Sequence, residues 1–282
     1  MITFLTQFIH QPSFILNSIF TIHDLKNAIP KIGKGHPFLP DRKWLEENLE
    51  ENLEGKLYEI LNEINQNGWS FNSIENYNEW QEKAIPAIKM STPDWLVHFA
   101  ILEKIEKKIQ QFFIPNTAFQ ISKMDELIDQ CKLWKKENPT AWVLQTDIKS
   151  FFKNIRHDLL LERLESKLSS QVFNILKQYL NATLKSTEDL EKKGMAIGAE
   201  LNYLLASAYL LPIDAAIFHS EKVIHYARYV DDILIFCQDE KESREVQKMI
   251  ELELEKIGLG LNFSKTKIQN VEEDILFLRQ LL

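Results

Sequence analysis

The stretch RYVDDILIF, residues 228–236, decides the fold because it places two adjacent aspartates between two strand-like apolar runs. VIHYARYV (223–230) and ILIFC (233–237) each have the length and the β-branched and aromatic content of a strand, and two residues separate them. This pattern predicts a β-hairpin whose turn carries Asp231 and Asp232. Two neighbouring carboxylates repel each other and gain nothing from burial, so their presence in this turn requires a further reason.

The predicted elements around this hairpin follow the order βαββαβ, which is a split βαβ arrangement. AWVLQTDI (141–148) is a short apolar run that follows Pro139, which is typical of a strand. Segments with helical periodicity separate the strands. The further predicted strands cover 261–268 and 275–278, and the predicted helices cover about 159–168 with Asp158 as N-cap, 171–184, 200–218 and 240–257.

This order brings a third carboxylate to the hairpin turn. A right-handed crossover makes the first strand parallel to the first strand of the hairpin, so their carboxyl ends lie at the same edge of the sheet. The second hairpin strand then runs back between them. Asp147 ends the first strand, and we therefore expect it to meet Asp231 and Asp232 at that edge.

Three converging carboxylates indicate a metal site. They cannot all stay ionised at close range without a cation, and oxygen ligands with no nearby His or Cys cluster favour Mg²⁺ or Mn²⁺. Two such ions clamp the attacking and leaving oxygens of a phosphoryl displacement, which is the chemistry of nucleotidyl transfer. An aspartate pair in a turn is common by itself, so the prediction depends on the convergence.

The first half of the chain predicts mainly helices. Apolar residues follow a helical stripe from Asp41 to Ile64, with glutamates on the opposite face. A second helix should begin at Thr92, which is followed by proline and aspartate, and run to about Phe113. A third predicted helix covers 123–137.

Composition excludes few classes of function. The 282 residues suffice for one large or two smaller domains, and the two cysteines form no disulfide framework, so we expect a cytoplasmic protein. The sequence has no apolar run of the roughly 18 residues needed to cross a membrane. The net charge of −8 means that a nucleic-acid surface must be a local basic groove, or be completed by metal ions or a partner.

From about residue 86 onward the sequence resembles reverse transcriptases of the bacterial, retron-like branch. The YxDD box of that family is Tyr229-Val230-Asp231-Asp232 here, and three further motifs keep their order and spacing around it. Segments similar to the fingers helix and the primer grip lie outside these motifs. The matching stretches are STPDWLVHFAILEKIEKKI (91–109), DIKSFFKNIRHDLL (147–160), KGMAIGAELNYLLASAYLLPID (193–214), GLGLNFSKTKI (258–268) and FLRQLL (277–282).

The resemblance implies an α+β fold, namely a polymerase palm with an antiparallel sheet and helical fingers. It divides the chain into a mostly helical N-terminal region (1–85), a fingers-like segment (86–146) and a palm (147–282). A thumb is not expected in this chain, so a partner protein or RNA would supply its function. The implied ligands are an RNA template and primer, dNTPs and two Mg²⁺ or Mn²⁺ ions, and the implied reaction is RNA-directed DNA synthesis.

The resemblance also implies roles for individual residues. Phe152 would be the gate whose ring collides with a 2′-hydroxyl, so that dNTPs are preferred over NTPs. Lys265 would donate a proton to the leaving pyrophosphate or balance its charge. The implied metal ligands are Asp147 and Asp231, assisted by the Ile148 carbonyl and Asp232; the implied nucleotide and primer contacts are Phe152, Gly198, Tyr229 and Lys89.

The sequence departs from the family pattern at several positions. Ile197 replaces the usual glutamine, Asn202-Tyr203 replaces a Ser-Pro pair, and Lys89 is the nearest substitute for the arginine that holds the triphosphate. These departures leave alternatives open: template-independent or protein-primed DNA synthesis, an RNA polymerase of the palm type, and a non-catalytic RNA-binding palm. A place among antiphage reverse transcriptases is the favoured subfamily.

Overall fold

The computed structural model describes residues 20–32, 52–71, 75–77, 87–184 and 192–282. The α-helices are α1 (Ile22–Ala28), α2 (Leu53–Asn67), α3 (Thr92–Ile109), α4 (Met124–Glu137), α5 (Phe151–Asn154), α6 (His157–Glu165), α7 (Ser170–Leu184), α8 (Glu200–Tyr209), α9 (Leu211–Phe218) and α10 (Glu240–Glu255). The strands are β1 (Glu75–Tyr77), β2 (Ala87–Lys89), β3 (Thr117–Ala118), β4 (Trp142–Asp147), β5 (His225–Tyr229), β6 (Asp232–Cys237), β7 (Lys267–Asn270), β8 (Leu276–Phe277) and β9 (Gln280–Leu281). Short 3₁₀ turns occupy Ile29–Lys31, Gln110–Phe112 and Ile121–Lys123.

A five-stranded sheet in the order β3-β5-β6-β4-β7 forms the centre of the fold. The strand β6 is antiparallel to both β4 and β5 and lies between them, so β4 and β5 run in the same direction. This confirms the α+β class and the predicted placement of the hairpin. The sheet is mixed rather than wholly antiparallel, because the two-residue strand β3 adds to β5 in parallel.

Both faces of this sheet are buried. Along β6 the side chains alternate between two apolar clusters: Ile233 and Ile235 belong to one, and Leu234 and Phe236 belong to the other. This alternation is the two-residue period of a strand. Both faces of β6 therefore pack against apolar side chains, and the aspartates at the strand ends lie at an edge of a rigid, packed sheet.

The helix α3 is the most deeply buried helix of the larger cluster. It begins where predicted: the Ser91 side chain accepts a hydrogen bond from the Asp94 backbone, and a proline occupies the first turn. Trp95 and Phe99 stack within it with their ring centroids 5.6 Å apart. The helix packs against α1, α7 and α8, and it thereby joins the N-terminal residues to the palm.

The predicted helix 200–218 is instead two helices. The chain bends by 50° between α8 and α9, and Pro212 lies in the first turn of α9, where it cannot continue the preceding helix. Within the described residues no single helix is long and apolar enough to cross a membrane, although this bent pair passes the same test by length and composition.

Two other predicted boundaries were wrong. The last palm strand begins at Lys267 rather than at 261, because Lys265 and Thr266 donate their backbone N–H groups to the Asn262 carbonyl and form a turn. Asp158 is not the N-cap of α6; Arg156 occupies that position. Asp158 lies in the first turn and pairs with the Arg156 guanidinium.

Other predictions are met in part. The helical stripe from Asp41 to Ile64 is described only from Asn52 onward, where α2 begins with the Asn52 side chain accepting from the Gly55 backbone; the earlier part lies outside the described residues. The predicted strand 275–278 is realised as β8, which pairs with β9 in a separate hairpin. The proposed division at residues 85 and 146 stays a prediction.

Candidate active site

The sheet register places two of the predicted aspartates side by side. Asp147, the last residue of β4, lies directly opposite Asp232, the first residue of β6, and Asp232 lies opposite Tyr229 at the end of β5. Directly opposed residues of antiparallel strands have Cα atoms about 4.5–5.5 Å apart. Like charges at such a pair destabilise the sheet, so the strand ends alone do not account for this row.

The hairpin turn that presents Asp231 is held from behind by Arg228. Val230 has φ 56°, a left-handed conformation that is unfavourable for a β-branched residue. The Arg228 guanidinium donates to the Val230 carbonyl at 2.8 Å. It also forms two hydrogen bonds with the Asp214 carboxylate, at 2.7 and 2.6 Å. This buried bidentate pair fixes the backbone conformation of the turn.

The turn aspartates lie in an environment that disfavours their charge. Burial, and next the neighbouring Asp232, raise the pKa of Asp231 to about 6. Burial and the Asp147 charge also raise the pKa of Asp232. Paired acids with raised pKa values in a partly buried cluster are characteristic of functional sites. A cation between them would remove the repulsion that the protein itself leaves in place.

The turn after Gly260 brings Lys265 to this cluster. The Asn262 backbone donates to the Asp147 carbonyl at 2.8 Å, and the Thr266 hydroxyl lies 2.7 Å from the Thr146 hydroxyl. These contacts hold the turn against the end of β4. The Lys265 ammonium forms an ion pair with the Asp147 carboxylate, and this hydrogen bond raises the pKa of Lys265.

The residues present fit a divalent cation. Asp147 Oδ1 is buried and has no hydrogen-bond partner among the described residues, although buried polar atoms are nearly always satisfied. The neighbouring donors are carboxylate oxygens, which are hard ligands suited to Mg²⁺ or Mn²⁺. Within the described ranges no group of three His, Cys, Asp or Glu side chains is arranged to hold a metal as it stands. Lys265 occupies the other Asp147 oxygen, so ion binding requires its ammonium to move.

The predicted sugar gate lies beside this cluster. Phe152 is half-buried in α5, and its backbone carbonyl accepts a hydrogen bond from Met195 at 2.7 Å. Gly198 has φ 95°, a left-handed conformation that glycine adopts without strain. The Met195–Gly198 loop and the Phe152 ring therefore approach the same part of the site.

Some predicted site residues are placed less closely. Ile148 is buried and forms an isolated bridge with Leu261, which keeps its backbone beside Asp147. Lys89 ends the strand β2, and its contact with a triphosphate stays a prediction. Tyr229 lies next to Asp232 across the hairpin, where burial raises the pKa of its hydroxyl.

Two parts of the site were not foreseen from the sequence. The first is the Arg228–Asp214 pair; a charged residue inside each of two apolar segments was the available signal. The second is Tyr203, whose ring contacts Phe152 with centroids 5.5 Å apart. Its presence in place of a family proline was noticed, but its neighbour lies in a separate, distant element of the chain and could not be inferred from spacing.

The chain belongs to the reverse transcriptase family. The profile of the family described as "Reverse transcriptase (RNA-dependent DNA polymerase)" matches residues 95–279. That range contains the aspartate row, Lys265 and the Phe152 gate. The family membership therefore accounts for the palm fold and identifies the chain as a nucleotidyltransferase of the RNA-directed DNA polymerase type. No curated protein matches the sequence.

Solved structures of telomerases share this fold. Apo telomerase from Candida tropicalis matches with a TM-score of 0.51 and 13% identity, over 73% of this chain and 45% of that chain. Telomerase from Candida albicans in complex with a TWJ fragment of telomeric RNA matches with a TM-score of 0.45 and 16% identity, over 64% of this chain and 35% of that chain. This chain spans half or less of the telomerase chains it matches, and at such identity the likeness concerns the fold alone.

Proposed function

We propose that this protein copies an RNA template into DNA by adding dNTPs to a primer 3′ end. The observation that carries the proposal is the meeting of Asp147 and Asp232 across the sheet, with Asp231 in the adjoining turn, inside a reverse transcriptase domain. The buried and unpartnered Asp147 Oδ1 and the raised pKa of Asp231 support a cation at this edge.

In this proposal Asp147 and Asp231 hold two divalent ions, with the Ile148 carbonyl and Asp232 assisting. Such ions would polarise the primer 3′-hydroxyl and the triphosphate oxygens. The Lys265 ammonium, freed from Asp147, balances the charge that develops on the departing pyrophosphate or donates a proton to it.

The remaining residues position the reactants. The Phe152 ring excludes a 2′-hydroxyl by steric overlap. Gly198 lets the nucleotide approach the backbone closely because it has no side chain. Tyr229 lies beneath the primer end, and Lys89 contacts the triphosphate.

The wider setting of the proposal is a bacterial, cytoplasmic enzyme of the retron-like branch that acts in antiphage defence. The motif pattern around Asp147 and Asp231 supports the branch, and two buried free cysteines, Cys131 and Cys237, are consistent with a reducing compartment. A partner protein or RNA would hold the primer–template duplex.

Primer extension tests the function directly. Wild-type protein, Asp231→Asn and a surface control, Asp129→Asn, are incubated with poly(A), oligo(dT), Mg²⁺ and either dTTP or UTP. We expect extension with dTTP in the wild type and the control, and a loss of roughly a thousandfold or more in Asp231→Asn, because transition-state stabilisation of ~4 kcal/mol would disappear.

The other outcomes separate the alternatives. Addition of nucleotides without poly(A) would favour template-independent synthesis, and preference for UTP would favour an RNA polymerase. RNA binding without extension in any arm, also after addition of cell extract as a source of partner, would favour a non-catalytic palm. Full activity in Asp231→Asn would contradict the role of the aspartates.

A further inference from the structure

Tyr203 joins the site through an unforeseen contact with the sugar gate. It lies in the first turn of α8 and is half-buried at the surface of the larger apolar cluster. Its ring meets the Phe152 ring edge to face, with centroids 5.5 Å apart and an interplanar angle of 80°. That geometry is the favourable arrangement for an aromatic pair.

The contacts of Phe152 show what Tyr203 adds. Among the described residues two rings touch the gate: Phe151, its neighbour in the chain, and Tyr203. The contact with Phe151 is local and belongs to the same short helix. The contact with Tyr203 joins α5 to α8, so it ties the direction of the gate ring to the rigid interior of the palm.

Tyr203 is itself held in place from two sides. Next to it, Asn202 is buried and accepts a hydrogen bond from the Tyr179 hydroxyl at 2.9 Å, while its amide donates to the Ala196 carbonyl at 2.7 Å. Burial raises the pKa of the Tyr203 hydroxyl, a hydrogen bond from the Gly198 backbone opposes that rise, and the Asp231 charge adds to it. The ring is therefore fixed to the same loop and turn that form the site.

We propose that Tyr203 is a positioning residue for sugar selection, whose ring holds the Phe152 ring in the orientation that excludes a 2′-hydroxyl. This inference rests on the proposed polymerase function and on Phe152 as the gate. A side chain that loses a packed neighbour gains other rotamers. Without the Tyr203 ring, Phe152 can turn aside and admit NTPs.

The test compares kcat/KM for dTTP and UTP in matched variants. Tyr203→Ala removes the ring, Tyr203→Phe keeps the ring and removes the hydroxyl, and Phe152→Val removes the gate. Tyr209→Leu removes a buried ring from the same helix, away from Phe152. A structural defect lowers both rates together, so the ratio of the two values reports on the gate alone.

We expect the dTTP-to-UTP ratio to fall about tenfold in Tyr203→Ala, which is the upper range for loss of an aromatic pair. In Tyr203→Phe the ratio should stay within about threefold of the wild type, because a single hydroxyl contact is weak. The ratio should fall at least as far in Phe152→Val and stay unchanged in Tyr209→Leu. An unchanged ratio in Tyr203→Ala would overturn the inference.

A second readout does not depend on activity. With 4-fluorophenylalanine at position 152, the ¹⁹F signal should shift and narrow in Tyr203→Ala, since the ring becomes mobile, and stay close to wild type in Tyr203→Phe. An identical signal in Tyr203→Ala would overturn the inference even if the protein adds no nucleotide. A protein that adds no nucleotide but shows the expected ¹⁹F change would instead refute the proposed polymerase function.

Discussion

Two acidic centres lie on either side of one hairpin strand, and they are completed in opposite ways. At the buried centre, Asp214 Oδ1 accepts hydrogen bonds from the Tyr226 hydroxyl and Arg228 Nε at 2.5 and 2.7 Å, and Oδ2 accepts from Arg228 at 2.6 Å. At the sheet edge, Asp147 Oδ2 pairs with Lys265, while Asp147 Oδ1 is buried and has no partner among the described residues.

The difference separates a structural acid from one with unused capacity. Asp214 is fully buried with a saturated set of donors, and burial of a charge requires such a set. The Arg228 guanidinium shows the same balance: burial alone would lower its pKa, and the Asp214 charge raises it above its usual value. At the edge, three carboxylates share one ammonium, which is the arrangement expected where a cation enters during function.

The largest effect on stability should come from breaking the saturated centre. Asp214→Asn leaves the Arg228 charge buried without its counterion, so we expect the free energy of unfolding to fall by about 3–5 kcal/mol. Urea denaturation followed by circular dichroism measures this loss. A double variant, Asp214→Leu with Arg228→Met, should recover much of the stability because no charge is left buried. A loss under ~1 kcal/mol in Asp214→Asn would contradict the structural role.

The unsaturated centre should respond in the opposite direction. The pKa of Asp231 is raised from 3.8 to about 6 in the folded protein, so its contribution to stability is complete below about pH 4 and is lost as the pH rises through 6. An asparagine side chain at this position cannot ionise. The variant Asp231→Asn should therefore be more stable than the wild type at pH 8 in EDTA, by on the order of 2–3 kcal/mol.

The pH dependence provides the control for that prediction. Urea denaturation at pH 4 should show no such gain, because Asp231 is then protonated in the wild type as well. The exposed variant Asp129→Asn should show no gain at either pH. An Asp231→Asn variant that is less stable than the wild type at pH 8 would place Asp231 with the structural acids.

The smallest effect concerns the one cation that the described residues place at this edge. Lys265 is largely exposed and pairs with Asp147, so a divalent ion must compete with its ammonium. Lys265→Gln should bind Mn²⁺ roughly fivefold more tightly, the equivalent of ~1 kcal/mol for an exposed ion pair. Titration of free Mn²⁺ by electron paramagnetic resonance measures this change, and Lys267→Gln, two residues further along, is the matched control. Equal affinity in both variants would show that Lys265 does not compete.

The order of the sheet was predictable because it follows from local pattern and handedness. The hairpin around Asp231 fixes two antiparallel strands, and the crossover rule makes the strand that ends at Asp147 parallel to the first of them. The structure brings Asp147 opposite Asp232 as that reasoning requires. Only short-range signals and one chirality rule were needed.

The features that were missed depend on contacts between distant residues or on turn chemistry. The Arg228–Asp214 pair and the Tyr203–Phe152 pair each join separate elements, and no periodicity reports such a pairing. The late start of β7 follows from the turn at Asn262, whose residues alternate like a strand in sequence. Pro212 was the one local signal that could have predicted the break between α8 and α9.

Anomalous diffraction from crystals soaked in Mn²⁺ tests the central claim most directly, because it locates the ion. The account predicts anomalous density between the Asp147 and Asp231 carboxylates, with the Lys265 ammonium displaced, and no such density in Asp231→Asn crystals. Mn²⁺ bound only elsewhere, or density at this edge that is unchanged in Asp231→Asn, would contradict the claim that these acids form a metal site.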